Sequence, residues 1–119
     1  MKTSDLFIKC LENEGIEYIF GVPGEENADF LMSLKKSKKI TFVLTRHEQG
    51  AAFMAESYGK LTGKLSCCLS TLGPGATNLL TGVADANMDH SPILVITGQG
   101  SSDRLHKESH QIMDVCNMF

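Results

Sequence analysis

The feature that most constrains the fold of this chain is a repeated alternation between short apolar runs and longer helical segments. Residues 17–20, 40–44, 65–70 and 92–97 are each four to six residues long, rich in β-branched or apolar side chains, and bounded by turn residues, as strands are. Helical spacing fills the intervals. A first helix opens at Thr3 or Ser4 as N-cap, with Asp5 in its first turn, presents Leu6, Phe7, Cys10 and Leu11, and stops at Gly15. A second runs from Glu25-Glu26 to about Leu34, and an alanine-rich third from Glu48 to about Leu61. A fourth runs from Ala76 to about Met88; Asp103 to Glu108 is a polar loop, and His110 to Phe119 begins another helical stretch. This order predicts an α/β fold in three layers: a mainly parallel sheet flanked by helices and joined by right-handed crossovers. Ile93 to Thr97 is apolar enough to be expected buried on both faces.

Binding sites in such sheets lie beyond the carboxyl ends of the strands. Three turns there stand out: Gly21 to Glu25, Arg46 to Gly50, and Thr71 to Asn78. The chain's 119 residues suffice for one domain, 1–119, with one modest core. A net charge of -3 leaves no basic footprint, so nucleic acid is not an expected partner. The longest apolar runs fall far short of the ~20 residues needed to span a bilayer, so no membrane role is expected. Met1-Lys2-Thr3-Ser4-Asp5 lacks the apolar core of a signal peptide, which points to a cytoplasmic location. Lys35, Lys36, Lys38 and Lys39 read as a solvated helix end. Cys10, Cys67, Cys68 and Cys116 form no CxxC pair, so they read as reduced, partly buried thiols and no metal site is expected. Cys67 and Cys68, adjacent in a strand, should face opposite sides of the sheet.

Several known site patterns are absent. Gly63-Lys64 is not a P-loop, because Tyr58 occupies the required glycine position, and no G-x-G-x-x-G occurs. His47-Glu48 is not a zincin helix, because position 51 is Ala. His106 and His110 stand four apart and could share a helix face, but no third ligand accompanies them. Gly73-Pro74-Gly75 lets a ligand approach the backbone at a helix start, and it equally suits a plain strand-to-helix turn. Glu48 stands at a strand-to-helix junction among small apolar residues. Burial would suit it to proton exchange with a ligand; otherwise it is a helix-start carboxylate favoured by the dipole.

Taken together, the three turns resemble successive signatures of one family. Gly21-Val22-Pro23-Gly24-Glu25, Arg46-His47-Glu48-Gln49-Gly50 running on to Glu56, and Thr71-Leu72-Gly73-Pro74-Gly75-Ala76-Thr77-Asn78 are similar to the acetolactate synthase-like enzymes that use thiamine diphosphate (ThDP). Ala84-Asp85-Ala86, Pro92 and Ile96-Thr97-Gly98-Gln99 fit the next segment of that family. The resemblance implies the N-terminal, pyrimidine-binding (PYR) domain. It implies that Glu48 hydrogen-bonds N1′ of the aminopyrimidine and favours the imino tautomer that takes the proton from thiazolium C2. It further implies cofactor contacts from Pro23, Gly24, Pro74 and Asn78, and a position near the substrate for Gln111 and His110. In the complete enzyme a 2-keto acid (pyruvate) would be decarboxylated and the resulting enamine joined to a second keto acid.

The branch follows from departures. Glu48 argues against glyoxylate carboligases, whose matching position is apolar. His110-Gln111 lacks the paired histidines of aldehyde-forming decarboxylases. Pyruvate oxidase and sulfoacetaldehyde acetyltransferase are further relatives of the same pattern. No Gly-Asp-Gly…Asn segment is present, so Mg²⁺, and FAD in the branches that use it, would enter only through middle and diphosphate-binding domains outside these residues. The domain is expected to be C-terminally incomplete, inactive alone, and self-associating as a homo-oligomer through apolar surface that includes Met88, Met113, Met118 and Phe119. The alternatives are a non-catalytic α/β assembly module, or a fragment of another ThDP enzyme such as pyruvate oxidase or sulfoacetaldehyde acetyltransferase.

Overall fold

The computed structural model describes residues 1–119 and contains four strands and five helices. In chain order these are α1 (Thr3–Asn13), β1 (Tyr18–Gly21), α2 (Ala28–Leu34, entered through a 3₁₀ turn at Glu25–Asn27), β2 (Thr41–Leu44), α3 (Glu48–Thr62), β3 (Ser66–Ser70), α4 (Pro74–Met88), β4 (Ile93–Thr97) and α5 (Val115–Met118). The strands form one parallel sheet in the order β2-β1-β3-β4, with Ile19 opposite Phe42 on one side and Cys67 on the other. Every expected strand is present within one residue of its predicted bounds, and the α/β class holds.

Two small cores fill the layers. Ile8 and Leu11 of α1 and Leu34 of α2 pack with Ile19, Cys67 and Leu69 on one face. Ala51, Ala52 and Ala55 of α3 and Leu79 of α4 pack with Cys68 on the other. Cys67 and Cys68 therefore do part to opposite faces, as strand geometry requires. Burial pushes the Cys68 thiol up to about 12 and the Cys67 thiol well above its usual value, whereas Cys10 and Cys116 are exposed. Titration of the native chain with an aromatic disulfide at pH 8 should show two fast thiols and two that react only on denaturation. Four fast thiols would contradict this packing.

Some sequence expectations change. The first helix is not capped by Thr3 or Ser4. Its N-cap position is Lys2, whose N–H donates to Asp5 3.4 Å away, while Ser4 and Asp5 both lie within hydrogen-bond reach of Ser33 on α2. Its inward face is Ile8 and Leu11; Leu6, Phe7 and Cys10 are exposed, with Phe7 edge-on to Phe30 at 5.6 Å. β3, not β4, is the strand buried at every position. β4 is half-buried throughout because it lies at the sheet edge. The helix expected from His110 forms only over Val115–Met118, since Gln111 adopts a left-handed φ of 55° that interrupts helical geometry. His106, at φ 65°, is likewise in a turn, so it shares no helix face with His110. The polar residues 103–108 are a succession of turns, as expected.

The strand order creates the site's location. From β1 the chain turns into α2 on one face of the sheet; from β3, its neighbour, it turns into α4 on the other. The chain thus leaves β1 and β3 toward opposite faces of the sheet, which makes their carboxyl ends a topological switch point.

Candidate functional site

At this end of the sheet the three unusual turns meet. The loop after β1 brings Gly24 against Thr71, at the exit of β3. A Cβ at Gly24 would run into the Thr71 methyl, so only glycine permits this approach. The same Thr71 presents its hydroxyl to Gly75, where a Cβ would lie 3.0 Å from Thr71 Oγ1 and 3.3 Å from Glu48 Oε1. Thr71 therefore stands between the first and third turns, and Gly75 between the third and the second. Pro23 is exposed beside Gly24, and Pro74 opens α4 at its first turn, where a missing N–H costs no hydrogen bond.

Glu48 is placed by the local chemistry of the second turn. Thr45 Oγ1 donates to the His47 carbonyl at 3.1 Å, and His47 Nδ1 accepts the Gln49 N–H at 3.1 Å, capping α3. Glu48 is the first residue of that helix and is half-buried rather than buried. Its Oε2 accepts from Asn78 Nδ2 at 3.0 Å, across the α3–α4 interface. Oε1 makes no hydrogen bond within the protein and faces Gly75. One carboxylate oxygen is thus committed to Asn78, and the other can accept from, or share a proton with, a ligand ring nitrogen. This donor set fits an aminopyrimidine, which offers such a nitrogen.

The α3–α4 interface forms a seam with a four-residue step. Glu48, Ala52, Glu56 and Lys60 follow one row of α3; Asn78 and Gly82, with Asp85 and Asp89 at the far end, follow the facing row of α4. At the middle, a Cβ added to Gly82 would stand 2.6 Å from Ala52 Cβ. At the far end, Lys60 holds the buried Glu56 and reaches Asp89 at 2.5 Å and Asp85 at 3.8 Å. The Asp89 and Glu56 carboxylates hold the Lys60 ammonium above its usual pKa. The three acids could otherwise suit a cation, but Lys60 already supplies the positive charge. Sequence reading overlooked this cluster, although Glu56/Lys60 and Asp85/Asp89 are both visible as four-apart pairs.

Gln111 is brought to the same end of the sheet through its backbone. A Cβ at Gly73 would collide with the Gln111 carbonyl and lie 2.9 Å from Gln111 Cβ. The Gln111 side chain is exposed, and His110 is exposed and makes no hydrogen bond. Pro23, Gly24, Glu48, Pro74 and Asn78 therefore lie on turns or helix starts at one end of the sheet, whereas nothing in the geometry ties His110 to Glu48. Thr71, not singled out by itself in the sequence, is the residue that links the turns.

The family described as "Thiamine pyrophosphate enzyme, N-terminal TPP binding domain" matches residues 1–118. The chain is 41% identical over all 119 residues to a probable acetolactate synthase large subunit of Methanocaldococcus jannaschii, covering 20% of that protein. It is 44% identical over 108 residues (91% of the chain, 17% of the relative) to an acetolactate synthase of Mycobacterium avium. It is 45% identical over 98 residues (82% of the chain, 15% of the relative) to a chloroplastic acetolactate synthase of Arabidopsis thaliana. The chain thus spans about a fifth or less of the length of these curated relatives. A match over nearly its whole length, on a parallel α/β sheet with Glu48 and Asn78 joined at its carboxyl end, means that this chain belongs to the thiamine pyrophosphate enzymes, as an N-terminal TPP binding domain.

Proposed function

We propose that this domain is the N-terminal part of an acetolactate synthase-like transferase that decarboxylates pyruvate, or a similar 2-keto acid, and joins the product to a second keto acid. The observation that carries the reading is the divided Glu48 carboxylate, with Oε2 held by Asn78 at 3.0 Å and Oε1 free beside Gly75. When bound, ThDP would supply the electron-sink chemistry. The chain's own work is to bind and orient the pyrimidine and to hold or move a proton at Glu48 Oε1. Asn78 keeps the carboxylate from rotating away, while the close packing of Gly24 on Thr71, and of Gly75 beside Thr71 and Glu48 Oε1, fixes the turns around it. Pro23 and Pro74 stiffen the two flanking turns, and Gln111 and His110 are assigned to the substrate side.

In this reading the diphosphate, Mg²⁺ and any FAD are held by other parts of a complete enzyme, and the 119 residues alone do not turn over. The complete protein is a homo-oligomer of the cytoplasm, where free thiols such as Cys67 and Cys68 stay reduced. Met88, Met113 and Phe119, all exposed, are proposed contributors to association, with the half-buried Met118 beside them. Among the described residues, no helix is long and apolar enough to cross a membrane.

The test is a chimera in which this chain replaces the matching N-terminal segment of the Methanocaldococcus relative. Acetolactate formation from pyruvate is the expected result, with sedimentation showing a multimer. A chimera that assembles and binds ThDP but forms no carboligation product would favour a non-catalytic module. Release of acetyl phosphate or an acetylated acceptor instead would move the assignment to a pyruvate oxidase or acetyltransferase.

A further inference from the structure

The segment 109–114 is tied down at three successive positions. Three consecutive residues each meet a different anchor. The Gln111 backbone lies against Gly73, the Ile112 side chain fills the space beside Gly100, and the Met113 carbonyl accepts from Gln99 Nε2 at 3.1 Å. Beyond them Val115 is buried. Gly73 itself stands at φ 58°, ψ -123°, a conformation that side-chain-bearing residues rarely adopt. Gln111 is left-handed, at φ 55°, although it is not glycine. Such backbone persists where surrounding contacts over-determine it. Here the contact is with the Gly73-Pro74-Gly75 turn, whose last glycine faces Glu48 Oε1.

We propose that residues 109–114 form a strap, that Gly73 and Gly100 are positioning residues that dock it, and that this docking sets the place of Gln111 at the Glu48 end of the sheet. The bearing on chemistry rests on the assignment of Glu48 above, whereas the docking itself requires no cofactor. In the undocked state Gln111 loses the carbonyl contact that holds its left-handed backbone, and the strap swings away with it. Ile112 belongs to neither core cluster, so the strap can leave without opening the sheet.

Hydrogen–deuterium exchange of the chain without cofactor tests this. Gly73→Ala should speed exchange of the 109–116 peptide by about tenfold or more, while the β3 peptide stays protected. Gly63→Ala is the control. Gly63 is also left-handed (φ 68°) but has no heavy atom within 4 Å of an added Cβ, so it imposes backbone strain without touching the strap. That variant should leave the 109–116 peptide unchanged. Equal exchange of this peptide in wild type and Gly73→Ala, with the core folded, would overturn the proposal. So would equal acceleration in Gly63→Ala. Should Gly73→Ala unfold the whole chain, Ile112→Ala decides: faster strap exchange with β3 protected supports the docking, and unchanged exchange overturns it. Because no cofactor or turnover enters the measurement, failure of the Glu48 assignment would leave this result intact.

Discussion

Glu48→Gln, introduced into the chimeric or complete enzyme, is expected to slow C2 proton exchange of bound ThDP by about 10²–10⁴-fold, the usual loss when a positioned acid–base group is removed. Cofactor affinity should change far less. Glutamine keeps the length of the side chain, and its amide oxygen can still accept from Asn78 Nδ2, now 3.0 Å from Glu48 Oε2. The amide cannot hold the exchangeable proton that Oε1 can. Were Glu48 only a helix-start residue, the cost would be one lost dipole interaction, about 0.3–1 kcal/mol of stability, with no effect on exchange. Exchange at C2, followed alongside ThDP affinity, separates the two. Equal exchange rates in the two proteins would remove Glu48 from the chemistry.

Gly82→Ala is expected to destabilise the chain by about 1–2 kcal/mol, against the trend for helices. In a helix interior, exchanging Gly for Ala normally gains about 0.5–1 kcal/mol, because the glycine backbone has more freedom to lose. At this position the added methyl would stand 2.6 Å from Ala52 Cβ and 3.0 Å from the Phe53 nitrogen. The nearest neighbours are a short side chain and backbone atoms, so the relief must come from moving a helix. Overpacking of this kind costs about 1–3 kcal/mol, which outweighs the propensity gain. Urea denaturation gives the value directly. The same displacement should lengthen the Glu48–Asn78 hydrogen bond, because Asn78 is one turn before Gly82 and Glu48 one turn before Ala52. In the chimera, Gly82→Ala should therefore lower turnover as well as stability. A stabilised, fully active variant would show that the seam is looser than the geometry describes.

The two substitutions also show how differently the parts of the site were legible. Glu48 could be picked out in the sequence because it stands at a strand-to-helix junction, and the family resemblance of the motif around it, Arg46-His47-Glu48-Gln49-Gly50, implies its role. Its relation to Asn78, thirty residues away, could not, since side-chain pairing depends on how α3 and α4 cross. Burial was legible only where periodicity was strong. The alanine face of α3 was apparent, but the choice of Ile8 and Leu11 over Leu6 and Phe7 in α1 depended on which side of the helix met α2 and the sheet. The apolar Ile93–Thr97 looked like a central strand because composition records hydrophobicity, not position in a sheet; as an edge strand it has a neighbour on one side only. The helix expected from His110 is interrupted at Gln111, whose left-handed backbone lies against Gly73, far away in the sequence, where no local pattern announces it.

The sequence by itself therefore determined the alternation of strands and helices, the α/β class and the three turns at which a ligand could be met, because these follow from local backbone preference and periodic hydrophobicity. Tertiary structure alone decided the strand order β2-β1-β3-β4, and with it the switch point between β1 and β3. It also decided the contacts of Gly24 with Thr71, Glu48 with Asn78 and Gly73 with Gln111. These contacts join residues tens of positions apart, and their geometry depends on how whole elements pack, which local propensity does not encode.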